Sequence, residues 1–181
     1  MANGFTDALW RILRDVARSL LPRQTRRTSR PTRSKQPRRP SAPPSMSRRY
    51  PGDYTGVPPM SYDPHPGKIA DPGEVVWTWV PFEEDHSQGK DRPVLIIGRD
   101  GDWLLGLMLT SKDHDRDAAQ ERRDGRRWVD IGSGSWDPQW RPSEVRVNRV
   151  IRVDPGAIRR VCDRLHKDKF DKVAAAVRRH N

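Results

Sequence analysis

Two arginines in the second half of the chain have side chains suited to binding phosphate. Arg92 lies just before a proline, and Arg146 alternates with valines in a segment typical of a β-strand. A guanidinium group stays charged and presents a planar fork of N–H donors that matches phosphate oxygens. On a strand, Arg146 and Asn148 would lie on the same face, about 6.7 Å apart. The spacing therefore predicts one polar strand face that contacts a nucleic-acid backbone.

Two adjacent hydroxyl residues, Thr110 and Ser111, follow an apolar run at residues 103–109. Cleaving RNA without a metal uses the 2′-hydroxyl as the nucleophile, which requires a base, a cation beside the phosphorane and a proton for the leaving oxygen. Either hydroxyl could hydrogen-bond to a phosphate or to that 2′-hydroxyl, but neither is itself a base. The sequence does not choose among the candidate bases, which are Glu83, Glu84, Asp85, His86 and His114.

Seven tryptophans are many for a chain of 181 residues. Trp136 and Trp140 lie in a connection that contains glycine and proline, with basic residues nearby. Aromatic faces stack unpaired bases with about 1 to 3 kcal/mol each. This pair is therefore a candidate RNA platform, and packing in the core or at a dimer interface remains the alternative.

The positive charge of the chain is concentrated at its N-terminal end. The chain has 35 Lys and Arg against 24 Asp and Glu, and residues 1–72 hold 14 of the basic residues against five Asp and no Glu. Twelve of the 17 prolines also lie there. Proline lacks a backbone donor, like charges repel, and few apolar residues offset the entropy of ordering. Residues 23–72 are therefore expected to form a disordered linker, either a solvated spacer or a segment attracted to RNA or DNA phosphates.

Residues 1–22, before this linker, have helical periodicity. Apolar residues recur at steps of three and four, and charged residues, most of them arginine, occupy the opposite face, which predicts a short amphipathic helix. Such a helix would dock on the folded domain or on a partner, with contact to a membrane surface as the weaker alternative. Charged residues interrupt every candidate signal core, and no apolar stretch approaches the roughly 20 residues that span a bilayer. Because Cys162 is the single cysteine, an internal disulfide is also excluded, and we expect a cytoplasmic protein.

From residue 73 the pattern changes to short β-branched and aromatic runs bounded by Gly, Pro and Asp. These runs predict strands at residues 74–80, 94–98, 103–110, 128–131 and within 145–153. Asp100 and Gly101 predict a hairpin turn, since both tolerate positive φ angles. Asp154 and Pro155 predict the start of a C-terminal helix, in one piece or two. Residues 73–181 are thus expected to be a mainly β domain with a C-terminal helix, most simply a small barrel.

Four motifs occur in order along this domain. They are Gly-Glu-Val-Val-Trp at residues 73–77, Lys-Asp-Arg-Pro-Val-Leu at 90–95, Leu-Thr-Ser at 109–111 and Pro-Ser-Glu-Val-Arg-Val-Asn-Arg-Val at 142–150. The ordered set resembles the PemK/MazF family of type II toxins. The resemblance implies an SH3-like barrel that forms homodimers, cleaves single-stranded RNA with no metal or other cofactor, and is neutralised by an antitoxin.

The resemblance also assigns residues to roles. It implies catalytic roles for Arg92, Thr110, Ser111 and Arg146. RNA contacts are expected from Asn148, Arg149, Trp136 and Trp140. Some members have an acid where this chain has Asn148, and an amide cannot accept a proton at neutral pH. A non-catalytic RNA- or DNA-binding module on the same fold is therefore the alternative to an endoribonuclease.

Overall fold

The computed structural model describes residues 48–67, 69–111 and 125–181. The helix predicted at residues 1–22 and the first part of the predicted linker, up to residue 47, lie outside the described residues. Among the residues that are described, none forms a helix long and apolar enough to span a membrane.

Antiparallel strands and one C-terminal helix make up the described part of the fold. The strands are β1 (Glu74–Pro81), β2 (Gly89–Asp100), β3 (Trp103–Thr110), β4 (Trp128–Gly132), β5 (Ser143–Arg146), β6 (Ile151–Val153) and β7 (Arg160–Arg164). The helix α1 spans Lys167–His180. The strand order is β4-β5-β3-β2-β1-β7, and β6 pairs with β3 beside β5. The prediction of a mainly β domain with a C-terminal helix is confirmed.

Alternating apolar residues of the central strands fill two hydrophobic clusters. Within β2, Leu95 and Ile97 belong to the first cluster, and Val94 and Ile96 belong to the second. This division follows from the strand geometry, in which successive side chains point to opposite faces. Helix α1 covers the first cluster with the side chains of Phe170, Val173, Ala174, Ala176 and Val177.

The hairpin between β2 and β3 is confirmed. Asp100 pairs with Trp103, so Gly101 and Asp102 are the central residues of the turn. Gly101 has a φ of 57°, in the left-handed region that glycine adopts without strain. The register set by this turn holds as far as Gly98 and Leu105, and a bulge between Ile96 and Gly98 then shifts it by one residue toward the open end of the hairpin.

The segment after Pro155 differs from the predicted helix. The carboxylate of Asp154 accepts a hydrogen bond from the Gly156 N–H at 2.9 Å, but only one 3-10 turn, Pro155–Ala157, follows this cap. Residues Arg160–Arg164 then form β7 along the edge of β1. Val161 packs against the second cluster and Cys162 against the first, which is the alternation of a strand. The apolar spacing fits helix or strand, and pairing with the free edge of β1 satisfies backbone groups that a helix would leave open.

The strand predicted within residues 145–153 is divided into β5 and β6. Between them, the Val147 N–H donates to the Arg127 carbonyl at 2.9 Å, and Val150 pairs with Tyr54. These contacts turn the chain, so that β5 pairs with the end of β3 and β6 pairs with its beginning.

Residues 50–63, which we call the strap, were assigned to the linker from the sequence but pack against the strands. The Ser61 N–H donates to the Ile97 carbonyl at 3.0 Å, and the Tyr62 hydroxyl donates to the Leu165 carbonyl at 2.8 Å. Tyr54, Met60 and Tyr62 pack against the first cluster. Proline content and charge indicated disorder, yet these three apolar side chains supply the burial that orders the strap.

Replacing Gly98 with alanine should loosen the strap, because a Cβ at this position would overlap the carbonyl oxygen of Pro59. We expect Gly98→Ala to lower the free energy of unfolding by about 1–3 kcal/mol, as overpacking does. The control is Gly67→Ala, where an added Cβ meets no atom closer than 3.9 Å. Thermal unfolding of the two variants gives the comparison, and equal melting temperatures would contradict the tight contact.

Candidate active site

A cavity of about 270 Å³ lies at the open end of the β2–β3 hairpin. Its polar and charged lining residues are Glu83, Glu84, Arg92, Thr110, Arg126, Arg146 and Arg149. Val80, Pro81, Phe82, Met108 and Trp128 form the apolar part of the wall. With four arginines against two glutamates, the cavity is suited to an anionic ligand.

Arg92 is a partly buried cation in this wall. Burial lowers the pKa of its guanidinium group. Within the described ranges this guanidinium makes no hydrogen bond and no ion pair. A desolvated charge without a counterion is costly, and a bound anion would remove that cost. Arg92 is therefore a partly desolvated cation in the cavity wall, without a counterion among the described residues.

Thr110 lies across the hairpin from Arg92. The pairing of β2 with β3 ends at Val94 and Met108, and Arg92 and Thr110 each lie two residues beyond that pair on their strands. Both residues line the cavity. The hairpin therefore brings to one cavity two residues that are distant in sequence.

Ser111 does not line this cavity. Its hydroxyl hydrogen-bonds to the buried carboxylate of Asp137, in the connection between β4 and β5. Because consecutive residues of an extended chain point in opposite directions, only one of the two hydroxyls can face the cavity. The structure brings Thr110 to the predicted site and places Ser111 outside it.

Arg146, on β5, forms a forked ion pair with Glu83, from the β1–β2 loop. The Nη1–Oε2 and Nη2–Oε1 distances are 2.8 and 3.2 Å. Arg146 is 6% exposed, whereas the Glu83 side chain is 48% exposed. The hydrogen bonds from Arg146 are the main cause that lowers the pKa of Glu83. Glu83 is therefore an ionised carboxylate held in the cavity at neutral pH.

Asn148 hydrogen-bonds to nearby residues of the same chain and does not line the cavity. Its Oδ1 accepts hydrogen bonds from the Arg127 N–H at 3.0 Å and from Arg146 Nε at 3.3 Å. Its Nδ2 donates to the Gly125 carbonyl. The RNA contact at Asn148 stays a prediction, and in the structure its amide oxygen is a hydrogen-bond partner of Arg146.

Arg149 lines the cavity but is 6% exposed and is held by the strap. Its Nε and Nη2 donate to the Asp53 carboxylate at 2.8 and 3.3 Å, and Nη2 also donates to the Pro81 carbonyl at 3.0 Å. The sequence placed Arg149 at an RNA contact, and its position in the cavity wall leaves that prediction in place.

The two tryptophans of the predicted platform are in different environments. Trp136 is 3% exposed, and its Nε1 donates to the Ser143 hydroxyl at 3.1 Å. Its assignment as an RNA contact is corrected, because a buried ring cannot stack on a base. Trp140 is 64% exposed and has a φ of 52°, in the left-handed region. Asp137 fixes this loop by accepting hydrogen bonds from the Gln139 N–H and from Arg141 Nε, both at 2.8 Å.

Among the candidate bases, the β1–β2 loop places Glu83 and Glu84 at the cavity. Asp85 instead accepts hydrogen bonds from Ser87 and Gln88 within its own turn. The ring of His86 packs edge-on against Tyr50. His114 lies outside the described residues. Where the structure describes the chain, no cluster of three or more His, Cys, Asp or Glu could hold a metal ion.

Sequence reasoning missed Asp53. The signal for it is Tyr-Pro-Gly-Asp-Tyr at residues 50–54, two aromatic residues and an acid within a basic, proline-rich stretch. Aromatic residues in such a stretch indicate a segment that packs against a domain, and an isolated acid there is a candidate partner for a buried arginine.

No curated protein matches the chain in sequence. The model of a protein family described as PemK-like, MazF-like toxins of type II toxin–antitoxin systems matches residues 71–180. This match covers all seven strands, helix α1 and every cavity residue. The chain belongs to the PemK/MazF-like family of type II toxins.

Proposed function

We propose that this protein is an endoribonuclease that cleaves single-stranded RNA by attack of a 2′-hydroxyl on the adjacent phosphorus. The proposal rests on two groups that line the same cavity. Arg92 has no partner among the described residues, and Glu83 is an ionised carboxylate. One group suits the phosphate and the other suits the proton of the nucleophile.

In this mechanism Arg92 binds the scissile phosphate and stabilises the negative charge of the phosphorane. A guanidinium group offers two parallel N–H donors to two phosphate oxygens, and its charge is worth more in a partly buried site than in water. Arg92 needs no rearrangement to do this, because it gives up no partner among the described residues when phosphate binds.

Glu83 is the general base that we assign. Its carboxylate lines the cavity and stays ionised at neutral pH because Arg146 lowers its pKa. The same ion pair orients the carboxylate, and Asn148 orients Arg146 through its Nε. The departing 5′-oxygen would take its proton from water, which reaches the cavity beside the half-exposed Glu83 side chain.

Thr110 would orient the substrate beside these charged groups. Its side chain lines the cavity at the end of β3, opposite Arg92 in the hairpin. A hydroxyl there can hydrogen-bond to a phosphate oxygen or to the 2′-hydroxyl. Such a bond holds the substrate in the orientation for attack, so less entropy is lost on reaching the transition state. Ser111 takes no part in this mechanism, since it faces Asp137.

Trp140 is the stacking residue that we propose for an unpaired base. We expect Trp140→Ala to weaken binding of single-stranded RNA by about fivefold to a hundredfold, which corresponds to 1–3 kcal/mol for one stacked base. Trp140→Phe keeps an aromatic face and should recover most of the affinity. Fluorescence anisotropy gives both dissociation constants, and an affinity unchanged by the alanine variant would place the RNA elsewhere.

The family match supports an antitoxin as a partner, because type II toxins belong to toxin–antitoxin systems. We propose that an acidic or apolar segment of the antitoxin fills the cavity, where four arginines offer complementary charge. A homodimer is a further proposal, and light scattering of the purified protein would measure the mass that decides it.

The test of the proposed activity uses full-length protein, EDTA and a single-stranded RNA oligonucleotide. Attack by the 2′-hydroxyl leaves a 2′,3′-cyclic phosphate and a 5′-hydroxyl, which mass spectrometry distinguishes from other ends. A single 2′-deoxy substitution at the cut site should stop cleavage there. Tight, salt-sensitive RNA binding without any cut would instead favour the non-catalytic binding module.

A further inference from the structure

The strap supplies the buried partner of an arginine in the cavity wall, although it lies outside the matched family domain. Asp53 is in the strap at residues 50–63, and the family match begins at residue 71. Arg149 lies within the match and lines the cavity. The Asp53–Arg149 ion pair, with an Nε–Oδ2 distance of 2.8 Å, joins the two parts of the chain at the site.

The hydrogen bonds of Arg149 leave one part of its guanidinium group available. Asp53 accepts from Nε and Nη2, and the Pro81 carbonyl accepts from Nη2. No described residue accepts a hydrogen bond from Nη1. An arginine held by one edge, in the wall of a cavity, can present its remaining N–H donors to a phosphate in a fixed direction.

Asp53 and its neighbours are fixed by hydrogen bonds within the strap and to residues at β6, none of which lines the cavity. The Tyr50 hydroxyl donates to Asp53, and Arg152 Nη1 donates to the carbonyls of Gly52 and Asp53 at 3.0 and 2.9 Å. The Tyr54 N–H donates to the Val150 carbonyl at 2.8 Å. The Tyr50 hydroxyl therefore holds the Asp53 carboxylate, and the other hydrogen bonds hold the backbone on either side of Asp53.

The charges of this group are settled at neutral pH. Burial acts to raise the pKa of Asp53, but hydrogen bonds from Arg149 and Tyr50 outweigh it, and the pKa lies below its usual value. Burial and the hydrogen bond to Asp53 raise the pKa of Tyr50, which keeps the phenol protonated as a donor. Asp53 is thus an anion that accepts from both neighbours.

We infer that Asp53 is a positioning residue, which holds Arg149 so that its Nη1 contacts a substrate phosphate next to the one bound by Arg92. This inference rests on the proposed RNA substrate. It makes the strap a working part of the RNA-binding cavity, so residues that precede the family domain contribute to the affinity for RNA.

The test compares Asp53→Ala with Asp63→Ala in the full chain. Asp63 is also in the strap, so its replacement deletes one carboxylate there, but its side chain pairs with His65 at 3.6 Å and neither residue lines the cavity. The probe is a single-stranded RNA oligonucleotide with 2′-O-methyl groups, which 2′-hydroxyl attack cannot cut. Its dissociation constant is measured from about 50 to 200 mM salt, a range over which phosphate contacts weaken strongly.

We expect Asp53→Ala to weaken binding about tenfold, as loss of a hydrogen bond to a charged group does. The slope of log Kd against log salt should fall by about 0.7, the value for one phosphate contact on a single strand. Asp53→Asn should recover part of the affinity, Asp63→Ala should change neither quantity, and Asp53→Ala should add nothing to Arg149→Ala.

Two results would overturn the inference. Unchanged or tighter binding by Asp53→Ala would mean that the carboxylate does not support phosphate binding, and an equal loss in Asp63→Ala would mean a general effect on the strap. If Asp53→Ala fails to fold, Tyr50→Phe replaces it as the test. We expect this variant to bind about threefold more weakly, because it loses one hydrogen bond to Asp53. Unchanged binding by Tyr50→Phe would then contradict the inference. Because the probe cannot be cut, these outcomes are separate from a wild-type protein that binds RNA without cleaving it.

Discussion

Arg92→Ala should reduce the rate of RNA cleavage by about a hundredfold to a thousandfold, the usual cost of removing one preorganised donor from a charge-stabilising site. The physical reason is the isolation of this side chain. No described residue pairs with Arg92, so its charge is available to the phosphorane. The alanine variant leaves no carboxylate without a partner among those residues, and its melting temperature should stay close to that of the wild type.

The matched control for this variant is Arg99→Ala. Arg99 is on the same strand, but at the hairpin end, where it contacts Ala70 and Asp71 outside the cavity. Arg92→Lys keeps the charge without the planar fork and should have intermediate activity. Single-turnover cleavage of one RNA oligonucleotide measures all three variants. Full activity in Arg92→Ala would remove this residue from the mechanism.

The part of the site that the sequence predicts best is the part made by local structure. The turn between β2 and β3 is such a part, because Asp-Gly predicts it and Gly101 adopts the positive φ that it requires. The bulge between Ile96 and Gly98 is not, and it shifts the register by one residue, so that the turn alone would place Ser111 and not Thr110 opposite Arg92. The sequence therefore predicts that the two strand ends come together, but not which of the two hydroxyls faces the cavity.

The parts that sequence reasoning missed depend on contacts between distant segments. Glu83 and Arg146 are 63 residues apart, and Asp53 and Arg149 are 96 apart. Each pair forms only after the sheet brings a loop or the strap to the end of β5. Composition also misled, because charge and proline indicated disorder across a stretch in which Tyr54, Met60 and Tyr62 are partly buried against the first cluster.

The same limit applies to β7. Its apolar residues can be placed on a helix or on a strand with equal success, and Asp154 does cap a turn as it would at a helix start. The free edge of β1 decides the outcome, and that edge exists only in the folded sheet. Local pattern therefore predicted the position of the segment but not its conformation.

Glu83→Gln should reduce kcat by about a hundredfold to ten-thousandfold, the usual contribution of a general base. The amide oxygen of this variant would still accept a hydrogen bond from Arg146, but the amide could not take the proton of the 2′-hydroxyl. The control is Asp85→Asn in the same loop, since Asp85 is exposed and binds only within its own turn. Both variants should bind the 2′-O-methyl oligonucleotide nearly as the wild type does.

The pH dependence of cleavage gives an independent check on Glu83 as the base. Activity requires the ionised carboxylate, so it is lost as pH falls through the pKa of Glu83. Arg146 holds that pKa below its ordinary value, which places the acidic limb of kcat/KM in the wild type below the ordinary range of a glutamate. Arg146→Lys loses the forked pair, so the pKa rises and the limb moves to higher pH. A limb at the same pH in both proteins, with folding verified by circular dichroism at each pH, would assign the base to another group.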